Sequence, residues 1–487
     1  MYSSLQRHNI VLIVVLLTLL FSLTYFRHAA YQIDRPLSSV LQQSPEELQQ
    51  QQPIISPPPP PSSALSTLSN ETTACDKVDF SWLASDRTHW DGWASKAMFM
   101  RPDGKYTSRN FTIEAGDSLC AVVLLGPIPA VGAIRPETHF APADSITIQA
   151  VGDHVLIPIT LQQHHKQSNV YYSAVHFAHP DTYRLESTTE YRSYFWEAPI
   201  YHAHRPFHYT SHHRVTVNTP PIIDQTQSYC DTTHATAGSW INKTMDDMID
   251  SDFLIYTPDT CQLRDITPSE AAQCLEAKNV HVVGDIHVRR NMRSFATGED
   301  CSVVDENDKC GYNEDELVLD AATTGWPANT NVQYLIMDNS IGMDGHWRDV
   351  LQQEDIPRAD VVIVGVGNHD IEQNRLTPRQ YWHAFTEFLI HLMTKTYPTQ
   401  TIIVRTPQYF CCGTIHGTSW NAGRSHAFAN VMRHAVQHMA SDRIVLWDTH
   451  RLGINAHVCP GTTQSPCNVV NTENLLLSNI LCSSSSS

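Results

Sequence analysis

The chain has 487 residues, enough for two or three domains, and carries a formal net charge of −18. That balance excludes a nucleic-acid partner, whose phosphates need a basic face. Its 27 histidines fall mostly in polar, turn-rich stretches without zinc-finger spacing, and no cofactor is expected from them.

Near the N-terminus, Ile10 to Phe26 is an uncharged apolar run between Arg7 and Arg27, at the short end for a membrane span. A cleaved signal peptide competes, since His28-Ala29-Ala30 offers small residues. The sparse charge before the run and the poor cleavage site favour an uncleaved signal anchor. The expected order is therefore a cytoplasmic tail (1–9), an anchor (10–26) and a Pro/Gln/Ser-rich stem (27–74) that includes Pro57 to Pro61. This describes a single-pass type II membrane protein with its ectodomain in the lumen of the Golgi or another secretory compartment. All 12 cysteines lie beyond the anchor, and their even number suggests disulfides. Sequons begin at Asn70, Asn110 and Asn242, consistent with the same compartment.

Between 75 and 225 no helical period is sustained. Short alternating runs at Ser108–Glu114, Leu119–Leu125, Ser145–Val151 and Val155–Leu161 predict an all-β sandwich of immunoglobulin- or filamin-like type. Gly116-Asp117-Ser118-Leu119 spells the four letters of a known esterase motif. A nucleophile corner needs strand, turn and helix, whereas a strand pattern follows here, so a hairpin turn is expected.

From 226 to 487 the pattern changes. Strands are predicted at Val280–Val283, Val332–Ile336, Val361–Val366, Thr401–Arg405 and Arg443–Trp447. Helices are predicted at Val288–Arg293, Pro378–Thr396, Ala422–Ala440 and Thr472–Ile480, with a capping box at Thr267-Pro268-Ser269-Glu270. Strands alternating with helices define an α/β domain with a doubly wound parallel sheet, whose ligands sit at the carboxyl ends of the strands. Gly284-Asp285-Ile286 lies at one such end, and Gly367-Asn368-His369-Asp370 at another.

Val283-Gly284-Asp285, followed by Arg289-Arg290-Asn291-Met292, resembles the first block of the SGNH hydrolases in their PC-esterase branch. Gly238-x-Trp240 and Tyr256-x-Pro258-x-x-Cys261 match its approach. His457-x-Cys459-Pro460, Asn468-Val469-Val470-Asn471 and Ile480-Leu481-Cys482 resemble the terminal block of the neurexophilin and PC-esterase domain proteins. The resemblance implies a flavodoxin-like SGNH fold after a β-sandwich, a place in the secretory pathway, and glycan or glycoprotein partners carrying O-acyl esters. In that family a serine after Gly-Asp attacks an ester carbonyl, a late histidine takes its proton, and an aspartate orients the ring. On these blocks Asn368 or His369 would donate to the oxyanion, with Gly342 or Gly345 as a second-block donor, and His457 would be the base.

This chain departs from the pattern twice. Ile286 stands at the nucleophile position, and Ile454 three residues before His457 where an aspartate is required. Asp448 and His450 offer a substitute acid and imidazole, or are polar loop residues. The expectation is an esterase- or O-acetyltransferase-like domain without serine catalysis. Two alternatives remain. One is a non-catalytic glycan- or protein-binding module. The other is a calcineurin-like metallophosphoesterase, in which Asp285, His287 and Asn368 would ligate metal, although the bridging aspartate and the late histidine motifs are missing.

Overall fold

In the computed structural model of the chain, the described residues are 74–81, 95–125, 144–167, 169–191, 207–219, 228–230, 237–242, 254–297, 331–337, 341–342, 345, 347–352, 358–372, 376–410, 421–454, 465 and 467–483. The tail, anchor and stem lie outside them. No helix among the described residues is long and apolar enough to cross a membrane.

Among the described residues, twelve strands precede the helix at Pro268–Cys274. They are β1 (Ser95–Phe99), β2 (Phe111–Glu114), β3 (Ser118–Leu125), β4 (Ser145–Val151), β5 (Val155–Pro158) and β6 (Gln162–Gln163), followed by β7 (Val170–His176), β8 (Asp181–Tyr191), β9 (Phe207–Thr210), β10 (Val215–Asn218), β11 (Gly238–Asn242) and β12 (Leu254–Pro258). One sheet runs β1-β3-β7-β6 and the other β12-β11-β5-β4-β8-β10-β2, with β9 beside β8. The period-2 pattern explains how they pack. Leu119, Ala121, Val123 and Leu125 of β3 face the inter-sheet core with Ile148, Ala150 and Leu185. Cys120, Val122 and Leu124 face the opposite way, onto Cys75 and Val78. A disulfide joins Cys75 to Cys120 at that second face.

Gly116 and Asp117 do form a turn. Gly116 has φ +98°, and the Asp117 carboxylate accepts the Glu114 N–H at 3.0 Å. The expected hairpin is nevertheless not formed, because β2 and β3 enter different sheets and do not pair. The expected boundary at 225/226 also falls inside a sheet: β11 pairs with β5 and carries β12 on its far edge. Asn110 is exposed, whereas Asn242 is buried in β11, where a glycan would have no room.

The parallel sheet has five strands: β13 (Asn279–Gly284), β14 (Asn331–Ile336), β15 (Val361–Gly365), β16 (Thr401–Arg405) and β17 (Ile444–Trp447). Their order is β14-β13-β15-β16-β17 and every pairing is parallel. Counted within this sheet the order is 2-1-3-4-5, so the chain changes direction between β13 and β15, and a crevice opens at their carboxyl ends. The helices are α1 (Pro268–Cys274), α2 (Ile286–Thr297), α3 (Trp347–Leu351), α4 (Asn368–Glu372), α5 (Pro378–His391), α6 (Ala422–Met439) and α7 (Cys467–Ser483). α5 starts on a capping box at Thr377, and its stripe of Tyr381, Phe385, Phe388 and Leu389 is fully buried. α5 and α6 cover one face of the sheet with Val362, Val364, Ile402 and Val404. α1, α2 and α7 cover the other with Val280, Val282, Ile363 and Ile403. Strands buried on both faces read as continuous apolar runs, which is why they are visible in the sequence.

Two contacts that weld the layers stand out among the described residues, besides the Arg451 bond to the Pro158 carbonyl at 3.0 Å. Leu156, Trp240, Leu254 and Tyr256 of the antiparallel sheet pack into the core beneath α1, α2 and α7. At the second place, the N-terminus of α6 meets the sandwich. Asn421 caps the Arg424 N–H, the buried Glu190 carboxylate of β8 accepts the Ala422 N–H at 2.9 Å, and Ser145 Oγ of β4 accepts the Gly423 N–H at 2.7 Å. Ser145 in turn donates to Glu190 at 2.6 Å. A Cβ on residue 423 would lie 3.0 Å from the Ser145 Cα, so glycine permits this approach. A carboxylate at a helix N-terminus is favourable in itself, and its loss would strand buried donors. Glu190→Ala is therefore expected to lower stability by about 1–3 kcal/mol in urea denaturation. An unchanged midpoint would show that the weld contributes nothing.

Candidate functional site at the carboxyl ends of the parallel strands

The corner between β13 and α2 is shaped by two glycines and an aspartate. Gly284 and Gly365 face each other across β13 and β15. A Cβ on Gly284 would meet the Gly365 carbonyl oxygen and Val288, and one on Gly365 would meet Val288. Their bareness lets the first turn of α2 sit directly over the crevice. Asp285 starts that helix as its cap, Oδ1 accepting the His287 N–H at 3.0 Å and its carbonyl accepting the Arg289 N–H at 3.2 Å. Its other oxygen, Oδ2, accepts Asn368 Nδ2 at 2.9 Å, and Asn368 Oδ1 accepts the Gln408 N–H at 3.0 Å. One carboxylate and one amide, both buried, thus tie the ends of β13, β15 and β16 together. The backbone of Ile286 forms the first helical residue of α2, immediately beyond this tie.

His287 is buried beside Asp285, its ring edge-on to Phe410 with centroids 5.8 Å apart. Burial pulls its pKa down to about 4; the nearby Asp285 charge opposes this, while Arg405 and His369 reinforce it. His369 is half-buried in the first turn of α4. Asp370, next in the chain, accepts the N–H groups of Ile341 and Gly342, at 3.3 and 2.9 Å. The Gly342 N–H, a sequence candidate for the oxyanion, is therefore already bonded to a carboxylate. Arg424 fills the space behind, donating to the carbonyls of Asp370, Ile371 and Leu376. Asn421, Gly423 and Arg424 are thus anchors of α6.

Asp448 and His450 are near neighbours but not a hydrogen-bonded pair. Arg433 grips Asp448 with two bonds of 2.7 and 2.8 Å, and Thr406 Oγ1 donates to it at 3.1 Å. Burial pushes the Asp448 carboxyl up, but the Arg433 charge and hydrogen bonds outweigh it and hold the group below its ordinary value. His450 Nδ1 lies 3.2 Å from the Pro407 carbonyl, which can only accept, so Nδ1 carries the proton and Nε2 the lone pair. Nε2 is buried with no hydrogen-bond partner among the described residues. The ring packs against Tyr409 and His426 and borders a space of about 30 Å³ between the sandwich and α6. Neither Asp285 nor Asn368 borders that space. Burial, with Arg433 and His426 beside it, holds His450 well below the usual imidazole range. His457 lies outside the described residues, as do Cys411 and Cys412.

Beneath the corner lies a charged pair that the sequence pattern did not single out. Arg405, at the end of β16, reaches Glu473 of α7 at 2.9 Å, both fully buried. Asn291 of α2 donates to the same Glu473 oxygen at 2.7 Å, and the Trp447 indole donates to the Glu473 carbonyl at 2.9 Å. The available signal was an arginine closing the apolar run Thr401 to Val404 and a glutamate inside the apolar helix α7.

For a metal, the donor set does not fit. Among the described residues no three His, Cys, Asp or Glu side chains converge. Asp285 and Asn368 bond to one another, and the Asn368 oxygen that could ligate already accepts a backbone N–H.

No family model matches this sequence, and no curated protein is similar to it. Solved structures are. A carbohydrate esterase family 2 enzyme plus carbohydrate-binding domain from Corynascus thermopiles (Myceliophthora fergusii) superposes at 14% identity, covering 48% of this chain and 73% of that one, with a TM-score of 0.28. Two further crystal structures match at 12% and 16% identity, covering 42% and 43% of this chain and 98% of each of theirs, with TM-scores of 0.28 and 0.27.

The buried imidazoles set a pH dependence. His287, His426 and His450 all titrate lower in the folded chain than the ordinary 6.5, His287 near 4 and His426 near 3. For a base whose folded pKa is depressed, the unfolded chain binds more protons below the ordinary pKa. Stability is then fully present above about pH 6.5 and falls as pH drops toward 4, each imidazole adding a slope of up to about 1.4 kcal/mol per pH unit. Urea unfolding at pH 7 and pH 5 is expected to show the weaker chain at pH 5, with a smaller difference in His287→Gln. Equal stability at the two pH values would contradict the buried, neutral imidazoles.

Proposed function

We propose that this chain is a secretory-pathway protein of the SGNH, PC-esterase type, directed at O-acylated glycans and working without serine-nucleophile catalysis. The observation that carries the reading is the Asn368–Asp285 hydrogen bond across the β13/β15 crevice. It brings the first and third sequence blocks together at the switch point of a 2-1-3-4-5 parallel sheet, where this architecture binds its ligands. At that corner an acyl transfer needs a lone pair on the first residue of α2, and Ile286 supplies a hydrocarbon. His450 retains an imidazole lone pair, but Arg433 and Thr406 occupy the neighbouring carboxylate and leave none to orient the ring. The corner then recognises an acyl ester rather than cleaving it.

The described disulfides, Cys75–Cys120, Cys230–Cys261 and Cys274–Cys482, support an oxidising compartment. With the apolar run Ile10–Phe26, they favour a type II anchor and a lumenal ectodomain. The glycan ester as ligand rests on the sequence blocks of the PC-esterase type. Hydrolysis of p-nitrophenyl acetate by the purified chain tests the reading. The wild type is expected to match the buffer rate, and Ile286→Ser to exceed it. Wild-type turnover that disappears in Asn368→Ala or His457→Ala would overturn it.

A further inference from the structure

A second surface has the make-up of a binding site. An open groove of about 1100 Å³ runs between the segment Gln262–Ile266 and the end of α1. It lies beside Lys278, just ahead of Asn279, the first residue of β13, whereas Asp285 follows the last. At about 3.3 Å per strand residue the two places are on the order of 20 Å apart, so the groove is not part of the corner.

Tyr229 projects at its edge, 61% exposed, with the Arg264 guanidinium 5.1 Å from the ring centroid. The ring is open to solvent, and the cation beside it limits its orientations. The surrounding exposed side chains are planar and polar: Gln262, Asp265, Gln273 and Glu276. They offer both donors and acceptors. Charges of both signs line the groove, Arg264 and Lys278 against Asp265, Glu270 and Glu276, so it has no positive field for a polyanion.

The frame is held rigid. Cys230 is bridged to Cys261, and Cys274 to Cys482. The backbone of Gln262 exchanges hydrogen bonds with Ser228 and Cys230, at 2.9 and 3.0 Å. Asn479 of α7 clamps Arg264 from both sides, accepting its N–H and donating to its carbonyl, each at 3.1 Å. A groove fixed in this way loses little entropy when it is filled.

We propose that this groove binds a neutral oligosaccharide, with Tyr229 stacking on the apolar face of one sugar ring and the amides and carboxylates taking its hydroxyls. A pyranose has an apolar C–H face and a rim of hydroxyls that both donate and accept, and it carries no charge. The groove presents an aromatic plate, mixed hydrogen-bonding groups and charges of both signs with no basic excess. The inference stands on the groove alone and does not rest on the reading of the Ile286 corner.

Calorimetric titration of the full chain with xylohexaose, cellohexaose and laminarihexaose, and with a sulfated heparin hexasaccharide, tests it. At least one neutral probe is expected to bind, with the sulfated one weaker. Tyr229→Ala is expected to weaken binding roughly three- to tenfold or more, the scale of one lost aromatic contact, and Tyr229→Phe to retain it. Tyr229 is exposed, so an unchanged melting curve separates this loss from misfolding. Failure of every neutral probe to bind, preference for the sulfated probe, or full affinity in Tyr229→Ala would each overturn the proposal. The ester assay on Ile286→Ser is read separately, and a null result there leaves this titration unaffected.

Discussion

The ion pair between Arg405 and Glu473 is the constraint on which the parallel-sheet layer depends. Taking both charges out of water is expensive, and mutual attraction repays the cost only where other groups satisfy the remaining hydrogen-bonding positions. Here Asn291 donates to the Glu473 carboxylate, and the Thr406 carbonyl accepts from Arg405 Nη1 at 3.4 Å. The guanidinium lies 5.7 Å from the Trp447 ring centroid, while Arg405 Nε has no hydrogen-bond partner among the described residues. The participants come from β16, β17, α2 and α7. Shifting β16 or α7 by one residue would leave a buried charge alone, so the pair fixes their register more than it adds stability. α7 is pinned again at its far end by Cys274–Cys482, which closes the C-terminus onto α1. The corner above the pair inherits this rigidity, because α2 is held from below by Asn291 while Asp285 caps its start.

The same economy governs the corner. Asp285 is a cap, a bridge to Asn368 and, through Asn368, a link to Gln408. None of these tasks needs a serine at 286. The geometry of this corner therefore does not depend on the side chain at 286, since the bonds that build it are made by its neighbours. Gly284, Asp285, Gly365 and Asn368 do their structural work whatever side chain stands at 286.

How much of this was legible in the sequence follows from the physics of each element. The parallel strands were visible because burial on both faces writes an unbroken apolar run, as in Val361 to Val364 and Thr401 to Val404. α5 was visible because Thr377 caps its start, with proline following, and apolar residues recur on one face. Its last turn was less so: it widens to a π-type turn at Leu392–Thr396, which no local signal marks. The five-residue helices α3 and α4 were missed because they are too short to show a period. The strands β11 and β12 were read as part of the approach to the α/β domain, since pairing with β5 is a long-range event that period-2 patterns cannot assign.

The site divides along the same line. Asp285 and Asn368 stood out because each follows a strand end in a Gly-rich turn, and turns at strand ends are local. Glu473, Arg433 and Glu190 did not, because each acts on a partner far away in the chain: Arg405, Asp448 and the start of α6. The Asp448–His450 pairing shows the limit most clearly. Two residues apart at the end of a strand, they look like an acid and its imidazole. Yet Arg433, fifteen positions earlier on α6, takes both carboxylate oxygens, and the imidazole turns to the Pro407 carbonyl. A sequence shows which groups can meet. Which of the possible meetings occurs is decided by the strongest competing partner, and at Asp448 that partner is an arginine delivered by α6.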